Sequence, residues 1–327
     1  MPINPDGYQL RVSRPLTNIS VAWMQDQPGI ATQVFPVVPS TRQGDMYYKY
    51  DRGSWFSGQA ELRAPATESA GGGWSVSTDS FFAFVYAIHQ DLDDQTLANA
   101  DEMFNVEADA ARWVASQLQL KQEKDFLSLI FTTSTWTGTY GGSADSDQQG
   151  SWGTSTTDLV EIIRGAAFEM LKKTGYRANT LVLDVPTAEK FLSNDELLDR
   201  IKHTQTGIVT LQLAAEACGL DRILVSETVQ QPSTGGDTLE FAAQAASGSV
   251  KGRAWLGYVP PRAGLRTPSA GYTFSWTGLL GAGALGVRTK RFRIEELEAV
   301  RIEAEMAYDQ KIVAAELGHL FVDTITT

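Results

Sequence analysis

One cysteine, three histidines and no long apolar run set the first limits on this 327-residue chain. A single cysteine, Cys218 in AAEACGL, excludes an internal disulfide and any cysteine-based metal site. Its setting places it on the buried face of a helix. The histidines, His89, His203 and His319, lie in three separate segments, and none has a second histidine at metal-ligand spacing. No apolar run approaches the ~20 residues of a bilayer span. The start, MPINPDGYQL, lacks the basic and apolar regions of a signal peptide. The chain is therefore expected to be cytosolic when made, and its Met1 argues against loss of a propeptide. Basic residues are outnumbered, 27 against 39 acidic ones, for a net charge of −12. That balance argues against a protein whose work is gripping phosphates. The nearest thing to a basic run, Arg288, Lys290, Arg291 and Arg293, alternates with Phe292 and Ile294, as a strand with one solvated face would. GxSxG, GxxxxGK[ST] and GxGxxG are all missing. No catalytic residue, cofactor or metal is expected.

What is present is a chain of ordinary apolar, aromatic and charged fractions, long enough for a sizeable core and about two domains. Its organising stretch is Asp94 to Phe131, which contains neither proline nor glycine. Leu97, Phe104, Ala108, Ala111, Leu118, Phe126 and Ile130 recur at helical spacing. Asp93, Asp94, Asp101 and Glu102 crowd its start, while Lys121 and Lys124 fall towards its end, matching the helix dipole. A single helix would run roughly 55 Å and act as a spine; the alternative is two helices broken near Gln119 to Glu123.

Ahead of it, residues 1–45 carry six prolines and no sustained period. Such an arm buries too little to fold alone, so a neighbouring subunit is expected to hold it. Residues 46–90 read as a long two-stranded excursion, Met46–Asp51 and Trp74–His89, joined by a polar tract with Pro65 and Gly71 to Gly73. Its tip, with Trp55 and Phe56, invites aggregation unless a partner covers it; the alternative is a hairpin folded back on its own domain. Downstream, 132–157 reads as a Gly, Ser and Thr loop. Asp158 to Lys173 reads as a helix with a capping box (Asp158, Glu161) and a Gly175 stop. Residues 180–260 alternate strands (LVLDV, RILVSETV, SVKGRAWLGYV) with helices (PTAEKFLS, VTLQLAAEACG) as an α/β or α+β unit, ending in a Gly-rich tract 264–286. Val300 to Asp309 keep period two, a half-buried strand, and Ile312 to Val322 supply a last apolar segment.

Two acidic features deserve separate readings. Asp145, Asp147 and Gly150 imitate the start of a calcium-binding EF-hand loop, but Gln149 replaces a carboxylate and Thr156 stands where the bidentate glutamate belongs. A solvated loop is the reading. The DLDD at 91–94 fits helix N-terminal charge better than a metal site.

The order of these parts resembles the major capsid protein of tailed bacteriophages, the Hong Kong 97-type fold, of α+β class. NISVAWMQDQPGIATQVFPVVPSTRQGDMYYKYDRGSWF (18–56) and RIEAEMAYDQKIVAAELGHLFVD (301–323) are similar in wording to siphovirus members. The resemblance implies an N-terminal arm (1–45), an extended loop reaching over a neighbour (46–90) and a peripheral domain with the spine helix (91–178). It further implies an axial domain (179–286) and returning peripheral strands (287–327). Contacts between copies are expected at Trp23, Phe35, Trp55, Phe56 and Trp74. The implied partners are copies of the same chain in pentamers and hexamers, a portal, and scaffold or decoration proteins. The shell would enclose double-stranded DNA without sequence-specific binding and without touching a membrane. The implied location is the virion capsid, assembled in the host bacterial cytoplasm. Some members link subunits by a lysine–asparagine bond; here the loop offers only Lys49, at the start of its first strand, so that chemistry is not carried over. Nor is there room for a cleaved scaffolding domain, which implies a separate scaffold or none. Encapsulin nanocompartments share the fold and form the runner-up; a soluble α+β hydrolase with an acidic site is the alternative from another class.

Overall fold

The computed structural model describes residues 29–99, 105–137, 145–147, 152–153, 157–201, 210–232, 239–247, 252–264, 267–280 and 288–325. Residues 1–28 of the expected arm, with Trp23, lie outside the described residues, as do Asp101, Glu102 and His203.

The described residues open with a one-turn helix α1 (Ala31–Val34), strand β1 (Val37–Ser40) and strand β2 (Gly44–Tyr50), then a short helix α2 (Arg52–Trp55). Strands β3 (Val76–Phe82) and β4 (Phe84–Asp93) lead into helix α3 (Asp94–Asn99) and the long helix α4 (Val106–Ile130). Next come β5 (Asp145–Asp147), α5 (Leu159–Thr174), β6 (Thr180–Asp184), α6 (Val185–Leu192) and α7 (Asp195–Ile201). They are followed by α8 (Leu211–Cys218), β7 (Arg222–Ser226), β8 (Val229–Gln230), β9 (Glu240–Phe241) and α9 (Ala242–Ser247). The chain closes with β10 (Arg253–Gly257), β11 (Gly271–Trp276), α10 (Thr277–Leu280), β12 (Arg288–Ile294), β13 (Ala299–Ile312) and β14 (Gly318–Val322).

Among the described residues, two five-stranded sheets carry the architecture. In the first, β13 is central: β11 and β12 pair with its two halves along one edge, β1 extends the sheet beyond β11, and β4 pairs along the other edge. The second has the order β5-β14-β10-β6-β7. Period two divides its side chains between two cores. Leu181, Leu183, Ala254, Leu256 and Phe321 face α5, α6 and α8. Val182, Trp255 and Leu320 face the other way, onto Phe126, Ile130 and Trp136.

Helix α4 joins the two sheets. Ala110, Val114 and Leu118 in its first half pack on Ile302, Ala304, Met306 and Tyr308 of β13, while Phe126, Leu127 and Ile130 near its end enter the core under the second sheet. It is shorter than the expected spine. Asn105 has non-helical backbone angles and its side chain accepts from the Ala108 N–H, capping a helix of 25 residues, roughly 37 Å long. It runs unbroken through Gln119–Glu123. Asp93 ends β4 and accepts from the N–H and hydroxyl of Thr96, which caps the separate helix α3.

Several expected boundaries move. Residues 30–40 are built into the subunit: Ile30, Ala31, Val34 and Phe35 are buried beside Phe126 and Ile130, and β1 pairs in parallel with β11. The Gly-rich tract contains β11, a buried interior strand. Within 132–157, Asp145–Asp147 pair with β14, so the EF-hand look-alike holds an edge strand, and Trp136 and Trp152 are buried. The two sheets also group the segments differently from the expected domains. β14 pairs with β10, and α5 packs in the same core as α8, so both belong with the α/β unit.

Glu123 has no precedent in the apolar pattern of α4. It is 3% exposed, and its Oε2 accepts from the Ala31 N–H at 2.9 Å. A Cβ on Gly29 would lie 2.4 Å from that oxygen, so a side chain there would displace the carboxylate from the turn. Burial pushes the Glu123 carboxyl up, against the lowering by the Ala31 and Ile30 N–H groups. A raised carboxyl favours folding below its ordinary range and loses that contribution as pH rises through the raised value. Glu123→Gln is therefore expected to be more stable than the parent at about pH 8 and close to it at about pH 4. Glu123→Ala, which leaves the backbone donors unmet, is expected to cost about 1–3 kcal/mol at pH 4 and less at pH 8, where the parent itself is weakened. Urea unfolding of the three proteins at the two pH values checks the order.

Candidate assembly surface

Strands β2 and β3 form an antiparallel hairpin in which Tyr48 faces Thr78 and Tyr50 faces Val76. Strand pleating sends alternate side chains to opposite faces. One face is docked on its own chain. Phe81 stacks on Phe274 of β11 at 4.2 Å between ring centroids, and Tyr47 stacks on the same ring at 5.5 Å. Beside them Asp79 pairs with Lys49 at 2.9 Å and Lys311 at 3.3 Å, and accepts from the Tyr47 hydroxyl at 2.9 Å. The Lys49 bond, then the Tyr47 bond, hold the Asp79 carboxyl well below the usual range. Lys49 is thus committed to an ion pair within the loop. At the root, Ala83 and Gln43 exchange hydrogen bonds, and the Phe82 N–H donates to Asp309.

The opposite face is uncovered. Met46, Tyr48, Tyr50, Val76 and Phe82 are all exposed on it. Beyond the strands Asp51 accepts from the Gly53 and Ser54 N–H groups, which starts α2 and sets Trp55 against Tyr50. Tyr50 also contacts Trp74, at 5.6 Å between centroids. The tip brings together three of the expected contact residues: Trp55 is 60% exposed, Phe56 65% and Trp74 61%. A two-stranded ribbon with one apolar face in solvent is marginal alone and is a mark of an interaction site.

Phe35 requires a correction. It is fully buried, edge-on to Phe126 at 5.1 Å, so its surface is spent inside the subunit and is not available to another copy. Trp23 lies outside the described residues. The outward set on the strands was missed, although the alternation of Met46, Tyr48 and Tyr50 with Tyr47 and Lys49 carries the signal. The hairpin also touches its own chain at the tip. Arg52 pairs with Glu316, and the Phe56 ring lies against Gly175, where a Cβ would be 3.0 Å from its Cζ.

Carboxylates of the 91–94 run and the basic run 288–293 are paired around the first sheet. Asp91 takes a bidentate pair from Arg301 at 2.6 and 2.7 Å, and Asp94 pairs with Arg293 at 2.7 Å. Arg288 and Lys290 pair with Glu305, and Arg291 pairs with Glu107. All four members of the basic run thus meet carboxylates of this chain. His319 is buried edge-on to Phe321, and His89 stands on β4 opposite Glu303, in different sheets. Cys218 is buried in α8, where desolvation pushes its thiol up to about 12.

No protein-family model matches the chain. The major capsid protein of Burkholderia phage BcepMu is 22% identical over 222 residues, which are 68% of this chain and 71% of that protein. Among solved structures, a phage-related protein from Bordetella bronchiseptica RB50 aligns with a TM-score of 0.67 at 15% identity, covering 92% of this chain and 93% of that one. The capsid structure of cyanophage P-SCSP1u aligns over 98% of both chains, with a TM-score of 0.60 at 10% identity. This chain has the fold of phage capsid subunits. The capsid fold extends to the SrpI encapsulin of Synechococcus elongatus PCC 7942, with a TM-score of 0.56 at 11% identity over 96% of each chain.

Proposed function

We propose that this chain is the major capsid protein of a tailed phage, with a subunit of Hong Kong 97 type that assembles into pentamers and hexamers of an icosahedral or prolate shell. The observation that carries the reading is an outward apolar hairpin face on a chain that shares its fold, over 98% of its length, with a capsid subunit. A surface of that kind closes rings and cages when it meets a different patch on the next copy. Each contact can be modest because many act together. The sheet with α4 corresponds to the peripheral domain and the sheet with α5 and α8 to the axial domain. Residues 1–28 serve as the arm and 44–82 as the extended loop.

The shell encloses double-stranded DNA without reading its sequence. The pairing of Arg288, Lys290, Arg291 and Arg293 with carboxylates supports this, since it leaves that strand with little to offer a phosphate backbone. A portal and scaffold or decoration proteins complete the head. Assembly takes place in the bacterial cytoplasm, and the subunit catalyses no reaction. The shared fold of the SrpI encapsulin favours a second reading, a protein nanocompartment. Contents separate the two. Particles formed alongside the other phage head proteins are expected to protect double-stranded DNA from nuclease. A single enclosed enzyme and no protected DNA would favour the nanocompartment.

A further inference from the structure

Helix α1 begins without a cap of its own. It is a single turn whose N-cap residue is Ile30, a side chain with nothing to accept a hydrogen bond. The acceptor comes instead from α4, 92 positions along the sequence, where Glu123 Oε2 takes the Ala31 N–H. The other oxygen, Oε1, is buried and meets no donor of the protein. The adjacent Gln122 Nε2 and the Gln310 Oε1 are buried and unmet as well, although Gln310 Nε2 reaches the Gln122 carbonyl at 3.3 Å. Three polar atoms along the seam of α4 with α1 and β13 would therefore gain by meeting water.

Among the described residues no basic group balances this carboxylate. On α4 itself Lys121 pairs with Asp125, and Lys124 is exposed. On β13, Tyr308 donates to Asp125, Asp309 accepts from Phe82 and Lys311 pairs with Asp79. On β11 the Tyr272 hydroxyl donates to the Thr267 carbonyl. Arg222 of β7 donates to the Gln33 carbonyl and the Thr180 hydroxyl, and Arg253 of β10 to the Phe131 carbonyl at the end of α4. Helices α1 and α9 carry no titratable side chain.

We propose that Glu123 is a proton-controlled latch on α1: the neutral acid holds residues 29–33 against α4, and the ionised one lets that turn open to water. The opening is local. Val34 and Phe35 are fully buried and β1 is paired with β11, so the chain is held again directly after the turn. The place matters because the chain from residue 28 backwards enters the subunit here. Burial pushes the Glu123 carboxyl up, and that sets the sign. The closed turn holds the proton and the open one releases it. Opening therefore grows by up to about tenfold per pH unit between the ordinary carboxyl range and the raised value, then levels off. The inference stands whether or not the chain forms a shell.

Hydrogen exchange of the purified full chain, read by mass spectrometry as protection factors, tests it. The amides of Ala31, Gln33, Val34 and Phe35 all owe their bonds to this turn and to Glu123. Their protection is expected to fall roughly ten- to hundredfold between about pH 5 and pH 8, while that of β6 stays constant. Glu123→Gln keeps an acceptor for the Ala31 N–H and cannot ionise, so its protection is expected to stay flat. Gly29→Ala, whose Cβ would meet Oε2 at 2.4 Å, is expected to be weakly protected at pH 5 already and equally flat. A parent profile that does not change with pH, or the same slope in Glu123→Gln, overturns the inference. So does a fall shared by β6, which is unfolding of the whole subunit. If Glu123→Gln does not fold, a sloped profile in Gly29→Ala overturns it equally.

Discussion

Replacing Phe35 by alanine is expected to destabilise the folded subunit by about 3–5 kcal/mol, read as a shift in the urea midpoint at constant slope. The ring is fully buried against Phe126, and it fills the space that a Cβ on Gly271 would need, 2.4 Å from its Cζ. Around it the same segment is tied down three further times. Ala31 donates to Glu123, the Gln33 carbonyl accepts from Arg222, and β1 pairs with β11. Removing the ring leaves a cavity between α4, β11 and α1 that these bonds prevent from collapsing. A loss below about 1 kcal/mol would mean that residues 30–36 are not part of the core. The burial of residues 30–40 sets where the arm can be cut. Deleting residues 1–45 takes away Phe35 and β1 and is expected to unfold the subunit. Deleting 1–28 leaves every buried residue named here in place, and is the version expected to stay folded while failing to form shells.

The second large effect lies at the opposite extreme of exposure. A chain carrying Trp55→Ala, Phe56→Ala and Trp74→Ala is expected to form no particles, while its unfolding free energy changes by less than about 1 kcal/mol. All three side chains are mostly in solvent, so truncating them removes little that folding has buried. What it removes is the apolar end of the hairpin, whose cost in solvent is offset only when another molecule covers it. Sedimentation and denaturation on the same preparation separate the two outcomes. Normal particles would remove the tip from the assembly surface. Loss of folding would place it in the subunit's own core, as Phe35 proved to be.

That contrast also marks what the sequence could reveal. Local chemistry was readable wherever a single residue decides an ending. Asp158 starts α5 and Gly175 stops it, Pro186 opens α6, and Gly219 closes α8. The long period-two run gave β13 for the same reason, since one of its faces is buried against α4 and the other is partly wet. The interior strand β11 shows the opposite case. It is buried almost throughout, so no alternation distinguishes it, and the surrounding glycines read as loop. The spine was overextended because the run 94–131 contains no proline or glycine, and the start of α4 is set by Asn105, through its non-helical backbone and its side-chain bond to the Ala108 N–H. An aromatic between prolines gives no sign of whether its own chain or a neighbour will cover it, which is why Phe35 and Trp55 looked alike. The pairing of β14 with β10 joins residues 61 to 69 positions apart, and no local pattern records it. Glu123, a buried acid on a helix, is legible only once α1 is seen to rest on it.

The most direct test of the account is the mass of the purified protein in solution, by light scattering, with electron microscopy of the same sample. Closed isometric or prolate shells, or five- and six-membered rings, with masses many times the 35.7 kDa of one chain are the expected result. A monodisperse 35.7 kDa species that persists across concentration, salt and pH, with its hairpin still exposed, would contradict it.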